Sequence, residues 1–147
     1  MPHMLSRDEI CRLIPHRDPF LWIDEIVEES ADRLVARKHL AADLDVFRGH
    51  YPGQPVMPGV LLCEAAMQAG AVLIARTLDR QISSGRVPVV TRMSNVKFRQ
   101  MVRPQDTLEI EVELTDQLSE AYFLKARIKV AGNTVAQLEF ACTLTEV

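Results

Sequence analysis

Between residues 108 and 130 apolar and charged side chains alternate with period two. Leu108, Ile110, Val112 and Leu114 interleave with Glu109, Glu111 and Glu113, while Tyr122, Leu124, Ala126, Ile128 and Val130 interleave with Phe123, Lys125, Arg127 and Lys129. This rhythm predicts strands with one buried face. Gly132-Asn133 offers a Gly-first two-residue turn into a third strand over 134–144. The glutamates of one outer face would then lie across from the lysines and arginine of the next strand.

Residues 59–78 follow another pattern. Ala, Leu and Met crowd every face there, which predicts one long helix that must be surrounded by protein. Upstream, Ser6-Arg7-Asp8-Glu9 is a capping box opening a short helix that ends near Ile14. Pro15 and Pro19 bracket His16-Arg17-Asp18 and break that helix, and Phe20-Leu21-Trp22-Ile23 reads as an apolar run of strand length. Residues 33–40 form a weaker strand candidate. Residues 43–58 carry three prolines and two glycines and predict a long structured loop, the kind that often holds function. One buried helix followed by antiparallel strands implies an α+β domain whose sheet wraps around the helix. The edge of such a sheet needs a cover, which a second copy can supply by edge pairing.

The 147 residues fit a single domain spanning 1–147, large enough for a core without disulfides or metals. Hydrophobic residues at 48% and charged residues at 25% are globular proportions. A net charge of -3 gives no basic excess for nucleic acid. Cys11, Cys63 and Cys142 are scattered, with neither a CxxC pair nor zinc-finger spacing, so a reduced, cytoplasmic setting without a metal is expected. The first residues, MPHMLSRDEICRLIPHR, contain no continuous apolar segment of a secretory signal. The longest apolar stretch, 60–75, includes Glu64 and Gln68 and is shorter than the roughly 20 residues of a membrane span.

Chemistry concentrates in Gly49-His50-Tyr51-Pro52-Gly53-Gln54-Pro55-Val56-Met57-Pro58-Gly59, which leads straight into the helix carrying Glu64. The prolines and glycines restrict the backbone around His50, as a positioned base requires, and imidazole titrates near neutrality. Glu64 sits about one turn into an apolar helix, where a lone carboxylate is costly to bury. It is either a structural carboxylate, bonded to a backbone amide or to Gln68 one turn on, or a proton donor. Pro58 suits the first helical position, so the free amides of Gly59 and Val60 could polarise a substrate carbonyl and stabilise enolate charge. Glu64 would lie about 6 Å along the axis from Val60 on the same face.

At these residues the chain resembles the 3-hydroxyacyl-[acyl-carrier-protein] dehydratases of the FabZ type. Leu13-Ile14-Pro15-His16-Arg17-Asp18-Pro19-Phe20-Leu21 is similar to the family's LLPHRYPFLL opening, and Gly49 to Gly59 to its GHFPGxPxMPG signature with Tyr51 for Phe. Glu64-Ala65-Ala66-Met67-Gln68 resembles EALAQ, and Val96-Lys97-Phe98-Arg99 with Arg103-Pro104 resembles ARFRRPVxPGD. The resemblance implies a hot-dog fold without cofactor, His50 as the base at C2, and Glu64 as the acid at the 3-hydroxyl. It also implies the Gly59 amide on the thioester oxygen, with Val60 and Gln68 beside the substrate along an acyl tunnel. Acyl carrier protein is the implied partner, for which Lys97, Arg99 and Arg103 would form a steering patch. The implied assembly is a homodimer or a trimer of dimers, with each site shared between two chains. In the sister FabA branch the acid is Asp, so Glu64 favours plain dehydration.

Several positions depart from the family pattern. Thr91-Arg92-Met93-Ser94 replaces a sequence like AGID, and Gln105 replaces the Gly of PGD, where it suits a type I turn. His16 is expected to make a structural hydrogen bond, and His3 and His39 have no partner arrangement. The alternatives are a MaoC-type hydratase using Asp45 and His50, an acyl thioesterase, or an acyl-binding protein without turnover.

Overall fold

The computed structural model describes residues 5–78 and 85–146. The chain runs through α1 (Arg7–Leu13), β1 (Glu25–Glu29), β2 (Arg33–His39), α2 (Asp45–Gly49), α3 (Gly59–Thr77), β3 (Arg86–Phe98), β4 (Thr107–Leu118), β5 (Ala121–Val130) and β6 (Asn133–Glu146). All six strands join one antiparallel sheet in the order β1-β2-β4-β5-β6-β3. Because α3 packs against five of these strands, β2 to β6, the sheet wraps the helix in the expected α+β, hot-dog manner.

The period-two rows sort as their chemistry dictates. Leu108, Ile110, Val112, Tyr122, Leu124, Ala126 and Ile128 are buried against α3, each full burial of a large aliphatic contributing about 1.5–3 kcal/mol. On the outer face Glu109, Glu111 and Glu113 stand opposite Lys129, Arg127 and Lys125. Glu111 draws in Arg33 at 3.4 Å and Lys129 at 3.3 Å. Small residues on α3, among them Ala65, Ala66 and Ala69, are fully buried and let the sheet close tightly. By length and composition α3 could cross a membrane, contrary to the sequence count, but 67% of it is buried inside the protein. Its cover of strands marks it as a core helix.

Three local expectations need correction. Residues 20–23 are not a sheet strand, because Gln68 of α3 captures their backbone: Trp22 N donates to its Oε1 at 2.8 Å and its Nε2 donates to the Phe20 carbonyl at 2.8 Å. The β5–β6 hairpin turns at Ala131-Gly132, one residue earlier than read, with both φ values positive (51° and 83°) as a type I′ turn requires. Gln105 has φ 76°, the positive third position of a type II turn, so the type I expectation fails. The capping box at Ser6 and Glu9 forms as expected. His3 lies outside the described residues.

Candidate active site

His50 follows the last turn of α2, and the proline-rich segment folds back on it. Its Nδ1 lies 2.7 Å from the carbonyl oxygen of Val56. A carbonyl can only accept, so Nδ1 carries a proton, and in the neutral ring Nε2 is the acceptor. The Tyr51 ring, on a residue with φ 55°, packs against the imidazole with centroids 4.6 Å apart. Asp45 does not join this histidine. Its carboxylate pairs with Arg48 at 3.2 Å on the exposed surface, which removes the acid that the hydratase reading needs.

Glu64 lies on the first turns of α3, 22% exposed. Its Oε2 accepts from Gln68 Nε2 at 3.0 Å. Gln68 itself is 1% exposed and spends both ends of its amide on Trp22, Phe20 and Glu64. The Gln68 expected to touch substrate is thus buried, with both ends of its amide engaged by the protein. The structural hydrogen bond expected of the His16 ring is not formed at Nδ1, which has no partner, while its Nε2 stands 3.6 Å from the same Glu64 oxygen. Burial holds its imidazole below the ordinary histidine range, with Glu64 opposing and Arg17 adding to that shift. His39 is committed to Thr107 at 3.0 Å and Gln105 at 3.3 Å.

The helix begins at Gly59, with Pro58 as its N-cap rather than its first residue. Leu61 and Leu62 amides both bond to the Pro58 carbonyl, and those of Gly59 and Val60 have no partner among the described residues. Both residues line a groove of about 440 Å³ together with Val56, Met57, Leu62, Phe98, Met101 and Val102. Arg99 lines it directly while its guanidinium bonds Gln137 at 3.0 Å. Lys97 and Arg103 are exposed neighbours in the chain, Arg103 turning its guanidinium to Met101 sulfur at 3.5 Å. A larger hollow of about 490 Å³ lies on the outer sheet face among Glu111, Glu113, Lys125 and Arg127. It is a solvated saddle of opposed charges and holds none of the candidate catalytic residues.

Within one chain His50 and Glu64 share no hydrogen bond or ion pair among the described residues. Cys11, Cys63 and Cys142 are unpaired. Burial pushes the Cys63 thiol up and that of Cys142 to about 12, so neither supplies a thiolate nucleophile.

A sheet of this order around one helix, with a proline-rich loop feeding the helix N-terminus, defines the hot-dog class. Residues 14–139 match the FabA-like domain family. The 3-hydroxyacyl-[acyl-carrier-protein] dehydratase FabZ of Anaeromyxobacter dehalogenans is 40% identical over 138 residues, covering 93% of this chain and 88% of that one. The enzyme of the same name from Bacillus velezensis is 39% identical over 144 residues, 97% of this chain and all of its own. The chain belongs to the FabA-like family and is a dehydratase of its FabZ type. Among solved structures, one from the ApeI:P dehydratase heterocomplex of Xenorhabdus doucetiae shares the fold with a TM-score of 0.79 at 16% identity, over 93% of this chain and 91% of that one. A hypothetical thioesterase with coenzyme A from Streptococcus pneumoniae shares it at 0.63 and 19% identity, over 83% and 85%.

Proposed function

We propose that the protein converts (3R)-3-hydroxyacyl thioesters of acyl carrier protein to trans-2-enoyl thioesters in fatty acid synthesis, with His50 as base and Glu64 as acid. The observation that carries this reading is the Nδ1–Val56 hydrogen bond at 2.7 Å, which in the neutral ring makes Nε2 of His50 the nitrogen that accepts a proton. Nε2 takes the C2 proton, and the enolate charge that develops on the thioester oxygen meets the free amides of Gly59 and Val60. Electrons return to form the C2–C3 double bond as the C3–O bond breaks, and Glu64 gives its proton to the departing hydroxyl, releasing water. Gln68 keeps the carboxyl oriented. Proton return from His50 to Glu64 through solvent completes the cycle. Three unpaired cysteines support a reducing, cytoplasmic setting.

That His50 and Glu64 share no hydrogen bond or ion pair within one chain, among the described residues, supports a site shared between two, with His50 of one subunit facing Glu64 of the other. Edge strand β3 is long and leaves Val89 and Met93 exposed, which suits pairing with a second copy. Enoyl and free thiol production are followed together on 3-hydroxyacyl carrier and coenzyme A thioesters. Enoyl product without thiol is expected, and thiol release would make the protein a thioesterase. His50→Ala and Glu64→Gln should each lower kcat at least about a hundredfold with the fold intact. Mixing the two mutants should restore about a quarter of wild-type activity, since about half the dimers are mixed and each regains one intact site. No recovery after verified exchange would place both residues in one chain.

A further inference from the structure

The reaction just proposed leaves His16 unused, although its Nε2 is 3.6 Å from Glu64 Oε2. The other ring nitrogen, Nδ1, is buried without a hydrogen-bond partner. Orphaned buried N–H groups are rarer in folded proteins than under-used acceptors, so the single proton of a neutral ring belongs on Nε2, facing the carboxylate. The backbone holds the ring in place. Arg17 donates to the carbonyls of His16 at 2.7 Å, Ile14 at 2.8 Å and Cys11 at 2.8 Å, pinning the loop to the end of α1. On the other side the Phe20 carbonyl accepts from Gln68 Nε2, the same nitrogen that donates to Glu64 Oε2. His16 and Gln68 thus converge on one carboxylate oxygen. Oε1 has no protein partner among the described residues.

We infer that His16 is a positioning residue for Glu64, sharing Oε2 with Gln68 so that Oε1 is the oxygen presented to the substrate hydroxyl. This rests on Glu64 being the acid. The depressed basicity of the buried ring favours the neutral donor over an imidazolium, which would hold the carboxylate in an ion pair and oppose its protonation.

The test compares wild type with His16→Ala, His16→Gln, Glu64→Gln and the double mutant H16A/E64Q on carrier-bound substrate. Alanine should lower kcat about tenfold with little change in KM, as loss of orientation does. Glutamine, a neutral donor of similar reach, should restore most of it. Because His16 acts through Glu64, the double mutant should be no slower than E64Q alone. Nitrogen-15 NMR of the wild-type ring should show the Nε2–H tautomer at neutral pH. Multiplied losses in the double mutant, a glutamine variant as slow as alanine, an alanine variant at wild-type rate, an Nδ1–H tautomer or an imidazolium would each overturn the inference. If H16A fails to fold, the glutamine variant and the tautomer still decide. An active E64Q would instead remove Glu64 as the acid, a separate failure.

Discussion

Gly59 and Gly70 lie on the same helix about three turns apart, and each faces an aromatic ring too closely for a side chain. A Cβ at Gly70 would stand 2.7 Å from Phe140, and one at Gly59 would stand 2.8 Å from Phe98. The rings differ in their surroundings. Phe140 is 3% exposed, and Phe98 is 52% exposed. Phe140 packs inside the core, whereas Phe98 reverses the apolar-in rule and shares its groove with the exposed Val60 and Met101. The same close contact closes a core midway along α3 and shapes an open apolar mouth at its start. Clustered exposed apolar groups of this kind mark binding surfaces.

Adding one methyl group at each glycine separates the two roles. Gly59→Ala keeps the amide but must displace Phe98, an exposed ring that can swing aside, so stability should hardly change. Because the amide and groove shift against each other, kcat should fall by up to about a hundredfold, the scale of a misplacement near 1 Å. Gly70→Ala has no such exit. Phe140 and Leu124 are both buried, and overpacking there should cost about 1–3 kcal/mol in denaturant unfolding while kcat of the folded fraction holds. Equal stability losses at the two sites would refute the distinction.

The same contrast explains what was legible in the sequence. β4, β5 and α3 could be read directly because their burial is set by local periodicity, two residues or all faces. β3 could not, since it is an edge strand with register shifts between Val90 and Arg92 and between Ser94 and Lys97, each resetting the alternation. Residues 20–23 looked like a strand because their apolar character is real; their hydrogen-bond partner, Gln68, lies 46 residues away from Trp22 and no local pattern announces it. His50 and Glu64 stood out by type and setting. His16 did not, because its meeting with Glu64 depends on the loop after α1 lying along α3.

The rim of the mouth gives a smaller effect. Lys97 and Arg103 make no ion pair among the described residues, whereas Arg99 braces Gln137 on β6 and its loss would mix folding with docking. Lys97→Glu with Arg103→Glu should raise KM for carrier-bound substrate by up to about tenfold, less at high salt, and spare coenzyme A thioesters. Reversing Lys125 and Arg127 on the outer sheet face should leave KM unchanged. A matching rise there would mean that net charge, not the mouth, governs the encounter.

The smallest effect is expected at the turn between β3 and β4, where Gln105 holds a positive φ that disfavours a residue with a Cβ. Pro104 and Gln105 are the central residues of a turn closed by Asp106 N to the Arg103 carbonyl at 3.1 Å. Gln105 takes φ 76° there, a left-handed conformation that costs a residue with a Cβ about 1–2 kcal/mol. Part of that is offset, since the Gln105 amide bonds the Leu40 carbonyl at 2.7 Å and its side chain meets His39 at 3.3 Å. Glycine would keep the backbone bond and relieve the Cβ, but it would lose the exposed side-chain contact and gain freedom in the unfolded chain, a term of about 0.4–1 kcal/mol. The net expectation for Gln105→Gly is a gain of about 0.5 kcal/mol, read as a rise in Tm of about 1–2 °C with kcat and KM unchanged. A fall in Tm would show that the His39 contact outweighs the strain, and His39→Ala in the native background would then have to lower Tm by a comparable amount.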